Sequence, residues 1–133
     1  MTLQYSVAVR NARLDVVEST IGASAVLKIR TGGVPANCAA ADSGTVLATV
    51  NLPSDWMAAA SSGTKSLSGT WQDASADATG TAAHFRIYRN DGTTCDIQGT
   101  VGTSGTDMIV DNASFNAGQS FTVTAFTLTA GNA

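Results

Sequence analysis

Apolar and polar residues alternate with period two through 82–101, AAHFRIYRNDGTTCDIQGTV, on both sides of a short Asn-Asp-Gly turn. That pattern predicts a β-hairpin. Ala83, Phe85 and Ile87 are expected on one face of its first strand, with Cys95, Ile97 and Val101 on the same face of the second. His84, Arg86 and Tyr88 then point the other way with Asp96, Gln98 and Thr100, toward water or a partner.

A helical rhythm occurs in one place. Residues 4–21 contain no proline or glycine, and Gly22 follows where a left-handed cap belongs. At about 100° per residue, Leu3, Val7, Leu14, Val17 and Ile21 fall on one arc and Tyr5, Val9, Ala12 and Val16 on another. Gln4, Asn11, Asp15 and Glu18 occupy the remaining side. The two arcs together exceed the stripe that one sheet covers, so a second surface is expected to press on this helix. Tyr5, Val9, Arg10, Arg13 and Val16 are its candidate interface residues. Neither arginine has an acidic residue three or four positions away. Each therefore either runs to water along apolar neighbours or pairs across a subunit contact.

Further strands are expected at 25–30, at 45–52 before Pro53, at 69–72 around Trp71, at 108–110 and at 120–129. In the last, Phe121 and Val123 face one way and Phe126 and Leu128 the other, which predicts a bulge near Ala125 or cover on both faces. The 31–44 tract, TGGVPANCAAADSG, is turn chemistry. Its paired glycines lack the Gly-Lys-Ser/Thr ending of a phosphate-binding loop. The 54–69 tract has no clean period; Ser54 is placed to cap a short helical turn that Gly63 would stop. Trp56 and Met57 within it are candidates for a contact surface, with Trp56 as a plug of the fold's end the alternative. The whole predicts a mainly β chain, an antiparallel β-sandwich or jelly-roll-like domain of about seven or eight strands with one N-terminal α-helix. Residues 1–22 form the helix, for packing and assembly, and 23–133 the β-sandwich.

A length of 133 residues suits one domain with an ordinary core. Only 13% of residues are charged and 6% aromatic, so that core must come from small and β-branched side chains. A net charge of −3 with 7 Lys+Arg offers no basic field, and no direct nucleic-acid partner is expected. No apolar run approaches the roughly eighteen residues of a membrane span, and MTLQYSVAVRNAR lacks a signal-peptide pattern. No membrane partner is expected, and assembly belongs in a cytoplasm.

His84 is the single histidine and has no evident base-and-orienter pair. Asp73 with Asp77 and Asp107 with Asp111 lie in turns without calcium-loop spacing. No catalytic residue, cofactor or metal site is expected. Cys38 and Cys95 allow one pairing, either as ordinary thiols near the core or as a disulfide formed after release from a reducing compartment. Trp56 and Trp71 beside polar turns keep a carbohydrate-binding, lectin-like module open as an alternative.

The opening YSVAVRNARLDVVESTIG, the LKIRTGGVPANCAAADSGTVLATVNLPSDWM run, the HFRIY and DGTTCDIQGTVGTSG hairpin and the closing FTVTAFTLTAGN strand carry a resemblance over nearly the whole chain. The chain resembles a group of small proteins of tailed bacteriophages and prophages. The resemblance implies a non-enzymatic virion structural protein, similar to head decoration (cement) proteins. Its implied partners are the major capsid protein or other virion proteins, with the chain as a homo-oligomer in the virion after assembly in the host cytoplasm. A tail or neck accessory protein is the neighbouring alternative.

Overall fold

The computed structural model describes residues 2–133. One helix, α1 (Val7–Ile21), precedes ten strands: β1 (Val26–Arg30), β2 (Val46–Asn51), β3 (Thr64–Ser66), β4 (Gln72–Asp73), β5 (Gly80–Thr81), β6 (His84–Tyr88), β7 (Cys95–Gly102), β8 (Met108–Val110), β9 (Ser114–Phe115) and β10 (Phe121–Thr129). The chain is mainly β and sandwich-like with an N-terminal helix, as its alternation predicts. Most strands form one strongly curled eight-stranded sheet in the order β2-β1-β6-β7-β8-β10-β3, with β4 also on β10; β5 and β9 pair separately. Pairings are antiparallel except β7 with β8, which run parallel at Val101↔Met108 and Gly102↔Ile109.

The expected hairpin is β6 and β7, paired from His84↔Thr100 to Ile87↔Ile97. A register shift after Ile87 then sets Tyr88 opposite Cys95. Cross-strand partners share a face, so this bulge moves Cys95 away from Ile97 to the His84 side, correcting the simple alternation. The phase change in β10 is likewise a bulge, between Val123 and Ala125.

Inside the curl four aromatic rings stand in succession. Trp56 and Trp71 have centroids 5.9 Å apart, Trp71 and Phe126 5.5 Å, and Phe126 meets Phe85 edge-on at 5.5 Å. Both indole N–H groups are satisfied: Trp56 Nε1 donates to Gly22 O at 3.2 Å and Trp71 Nε1 to Trp56 O at 3.1 Å. Trp56 and Met57 are 0% and 1% exposed, so neither is a contact surface. The core is poor in large side chains and takes these two for itself.

The 54–69 tract also departs from expectation, since it contains no helical turn. Met57 bridges Leu67, Ala58 N donates to Ser66 O, and Ser61 and Thr64 exchange backbone hydrogen bonds at 2.9 and 3.0 Å. The tract is a hairpin whose tip is Ser62 at φ 53° and Gly63 at φ 75°. A side chain on Gly63 would collide with the Arg10 guanidinium.

Ser6 Oγ accepts from Val9 N at 3.2 Å and starts α1 at Val7, later than 4–21 suggests. Gly22 caps the other end, its N–H donating to Glu18 O at 2.8 Å. Leu14 and Ile21 are buried and Val17 packs on the core. Polar residues of the helix do much of the remaining docking. Asn11 Oδ1 accepts from Gly63 N at 2.9 Å, Asp15 Oδ1 from Ala60 N at 3.0 Å, and Glu18 Oε2 from Met57 N at 3.1 Å. Lys65, 2% exposed on β3, donates to Asp15 at 2.7 Å and lies 3.1 Å from Glu18. Burial works against its charge, but the two carboxylates outweigh that and hold its pKa above the ordinary lysine value.

Lys65→Ala leaves those carboxylates facing each other without a cation. Because Asp15 is half exposed, the expected loss is about 2 kcal/mol, below that for a wholly buried pair. Urea unfolding followed at 222 nm measures it, and Glu18→Gln in the Lys65→Ala background should recover part of the loss.

Candidate functional site

With its polar side docked, α1 turns apolar residues to the outside. Val7, Val9 and Val16 are 49%, 44% and 57% exposed, and before the helix Leu3 and Tyr5 are 66% and 37% exposed. The Leu14, Val17 and Ile21 arc faces in; the Val9, Ala12 and Val16 arc faces out. Leu3 and Val7 depart from the inward arc: Leu3 precedes the helix and Val7 is its first residue, and both are exposed. The Arg13 guanidinium lies over the Tyr5 ring, 5.1 Å from its centroid. Tyr5, Val9, Arg13 and Val16 thus form one surface at helical spacing. Arg10 does not join it: half-buried, it folds against Gly63, and its Nε is buried without a partner among the described residues.

A second concentration of chemistry lies under the 31–45 loop. His84, Arg86 and Tyr88 do not face water; all three are buried at 0%, 2% and 0% exposure, because this loop folds over their side of the sheet. Arg86 donates to Ala40 O and Asn37 O, both at 3.0 Å, to Asp42 Oδ1 at 2.9 Å and to Gln98 Oε1 at 2.9 Å. The Tyr88 hydroxyl donates to Asp42 at 2.6 Å, and Arg30 pairs with the same carboxylate at 3.2 Å. Gln98 Nε2 reaches Pro35 O, and His84 Nδ1 meets Gly32 O, both at 2.7 Å. A carbonyl accepts only, so Nδ1 carries the proton. His84 Nε2 and Arg30 Nε, on residues paired across β1 and β6, are buried without partners among the described residues.

Burial pushes the Asp42 carboxyl up, but the Tyr88 hydrogen bond and the two guanidinium groups outweigh it and leave it below its ordinary value. Burial, reinforced by Asp42, raises the Tyr88 phenol. Nearly every polar atom here holds another or a loop carbonyl, so the arrangement acts as a clamp on the loop.

Cys38 on that loop and Cys95 on β7 are brought together, both as free half-buried thiols. Burial and the neighbouring Cys38 push the Cys95 thiol up to about 12. The described residues hold no group of three or more metal-binding side chains, and no helix long and apolar enough to cross a membrane. Sequence reasoning missed Asp42, which reads as part of a turn. The available signal is its being the one acidic residue in the loop that follows a strand ending in Arg30.

The raised thiol value has a testable sign. Unfolded, Cys95 loses its proton near 9.0, whereas folded it keeps it to about 12. The unfolded state is therefore favoured progressively as pH rises through that window. Urea midpoints measured between pH 8 and 11 should fall, and fall less in Cys95→Ser, with the Tyr88 phenol and, from about pH 10.5, the Lys65 ammonium accounting for the remainder. Native Cys95 should also alkylate far more slowly at pH 8 than in urea.

Compared with known proteins, the chain has no match: no family model, no curated protein and no solved structure is similar to it.

Proposed function

We propose that this chain is a non-enzymatic structural protein of a tailed-phage virion, in particular a head decoration (cement) protein. The observation that carries this reading is the apolar outer face of α1, with Tyr5, Val9 and Val16 exposed beside Arg13. An apolar strip of this kind usually marks an interaction site. The helix is held from its other side by Asn11, Asp15 and Glu18, so its outer face is presented on a fixed support. With only 7 Lys+Arg and a net charge of −3, the chain suits a protein partner better than nucleic acid. That partner is the major capsid protein or another virion protein, met by the chain as a homo-oligomer.

A tail or neck accessory protein would use the same face toward another partner, and copy number separates the two. Many copies in a stained gel of purified particles support the head lattice, and a few copies move the protein to the neck or tail. The carbohydrate-binding alternative needs an exposed tryptophan for stacking, and both tryptophans are 0% exposed.

Val9→Asp and Val16→Asp should leave circular dichroism and thermal unfolding close to wild type, because both side chains already meet solvent. They should abolish binding to undecorated heads. Arg13→Ala should weaken binding less, by about 0–1 kcal/mol as for a rim charge. Full head binding by the Val9→Asp and Val16→Asp double variant would remove the helix face from the function.

A further inference from the structure

β8 occupies one end of a lane that is otherwise empty. The strand has three residues, yet it separates β7 from β10 in the sheet. It meets β7 at Val101 and Gly102, and β10 at Val123, Ala125 and Phe126. Neighbouring strands lie about 4.8 Å apart, so β7 and β10 stand two spacings from each other there, with room for one strand between. Beyond β8, β10 continues through 127–129 and β7 runs back to Cys95, and no strand lies between them among the described residues. A cleft of about 560 Å³ fills that place, over Phe85 and Phe126, with Ile97 and Gln98 on one flank and Thr127 and Thr129 on the other.

Main-chain groups on both flanks point into the lane. Val101 N donates to Ala83 O on the β6 side, so alternation turns the backbone of Gln98 and Thr100 the opposite way. On β10, Phe126 O accepts from Leu67 N and Ala130 N donates to Gly63 O, both toward the β3 side. Thr127 and Thr129 accordingly face the lane. Asp107 Oδ2 takes Thr100 N at 2.9 Å and closes the end next to β8. The main-chain groups of Gln98, Thr127 and Thr129 have no strand partner on this edge among the described residues. Donors and acceptors on both sides of a one-strand gap are complementary to an extended polypeptide. At a rise of about 3.3 Å, a spacing of about 4.8 Å and a depth of about 10 Å, the cleft holds roughly three or four strand residues.

We propose that segment 2–5 of a second copy fills this lane as an added strand. The segment, TLQY, alternates polar and apolar and is uncharged, as suits a cleft beside Asp107. It lies outside every helix and strand, and its Leu3, at 66%, is the most exposed of the large apolar side chains described. Leu3 set over Phe85 and Phe126 would cover in the partner the apolar surface it exposes in its own copy. In that copy the segment is held by Tyr5 N donating to Asn132 O at 2.7 Å and Gln4 Nε2 to Ala133 O at 3.3 Å. Both acceptors lie just past the end of β10, so the segment already sits near one flank of the lane, and a two-fold exchange opens these ties and the Tyr5–Arg13 contact while Ser6 stays as the cap of α1. The exchange draws Tyr5 away from the α1 face used in the virion reading and leaves Val9, Arg13 and Val16 on it.

The test mixes chains carrying Leu3→Cys with chains carrying Leu128→Cys, which shares the Phe126 face of β10 and lines the cleft, both with Cys38→Ser and Cys95→Ser, and oxidises them with diamide. The mixed disulfide dimer should exceed either homodimer at least about tenfold. By sedimentation the wild type should be a dimer that Leu3→Asp weakens roughly tenfold or more, while Val9→Asp leaves it intact. Amide exchange at Gln98 and Thr127 should slow as protein concentration rises. A monomeric wild type, or mixed cross-links no more abundant than the homodimers, overturns the exchange. A monomer whose Gln98 and Thr127 amides gain protection only when another protein is added overturns it too, and assigns the lane to a foreign strand.

Discussion

The contact on which the rest depends is the succession Trp56, Trp71, Phe126, Phe85 through the inside of the curl. Alanine, glycine, serine and threonine fill much of the chain, and each removes little apolar surface from water. The large rings must therefore span the distance between elements that small side chains cannot bridge. Each ring comes from a different part of the chain: the 54–69 hairpin, the approach to β4, β10 and β6. The indole hydrogen bonds extend the tie, from Trp71 to the backbone of Trp56 and from Trp56 to Gly22 at the end of α1. Helix end, hairpin and both halves of the sheet share one anchor.

Two buried cations then attach what the apolar interior cannot. Lys65 draws Asp15 and Glu18 of α1 onto β3, and Arg86 draws Asp42 and two loop carbonyls onto β6. Taking such charges out of water is costly, and breaking one pair costs more than the pair contributes. A carboxylate partner left partly in solvent, as Asp15 and Asp42 are at 49% and 39% exposure, lowers that cost. Attachment through Lys65 also explains why α1 looks inverted. Much of its polar side is turned to the protein, and an apolar arc is left outside.

Periodicity made the hairpin, the helix and the longer strands legible, because hydrophobic spacing is a property of the chain itself. The changed phase of Phe126 and Leu128 marks the irregular place in β10 but fits a bulge or cover on both faces alike, and the pairing with β8 decides for the bulge. Alternation could not say which face of β6 lies open. His84, Arg86 and Tyr88 read as a wet face, and a loop of turn residues covers them through contacts set by tertiary structure. Lys65 was invisible for the same reason, since its burial depends on acids fifty and forty-seven positions earlier. Trp56 and Met57 read as candidates for a contact surface because their tract lacks a period, and the other reading of Trp56, a plug within the fold, is the one its burial supports; short bridged strands such as β3 hold too few residues to show a period. For the α1 surface, the two arcs were readable and Val9 and Val16 lie on the outer one, but Arg10 needed the Gly63 turn to place it.

The manner in which Arg86 holds the 31–45 loop has a further consequence. It bonds the main-chain oxygens of Asn37 and Ala40, Gln98 bonds that of Pro35, and His84 that of Gly32. Of these four grips none reads the side chain at the position it holds. So long as Asp42 and the backbone path are kept, residues between the grips, such as Ala36, Ala39 and Ala41, are free to drift or to be rewritten. The sheet supplies a fixed frame for a replaceable text, a natural place to graft a new binding sequence.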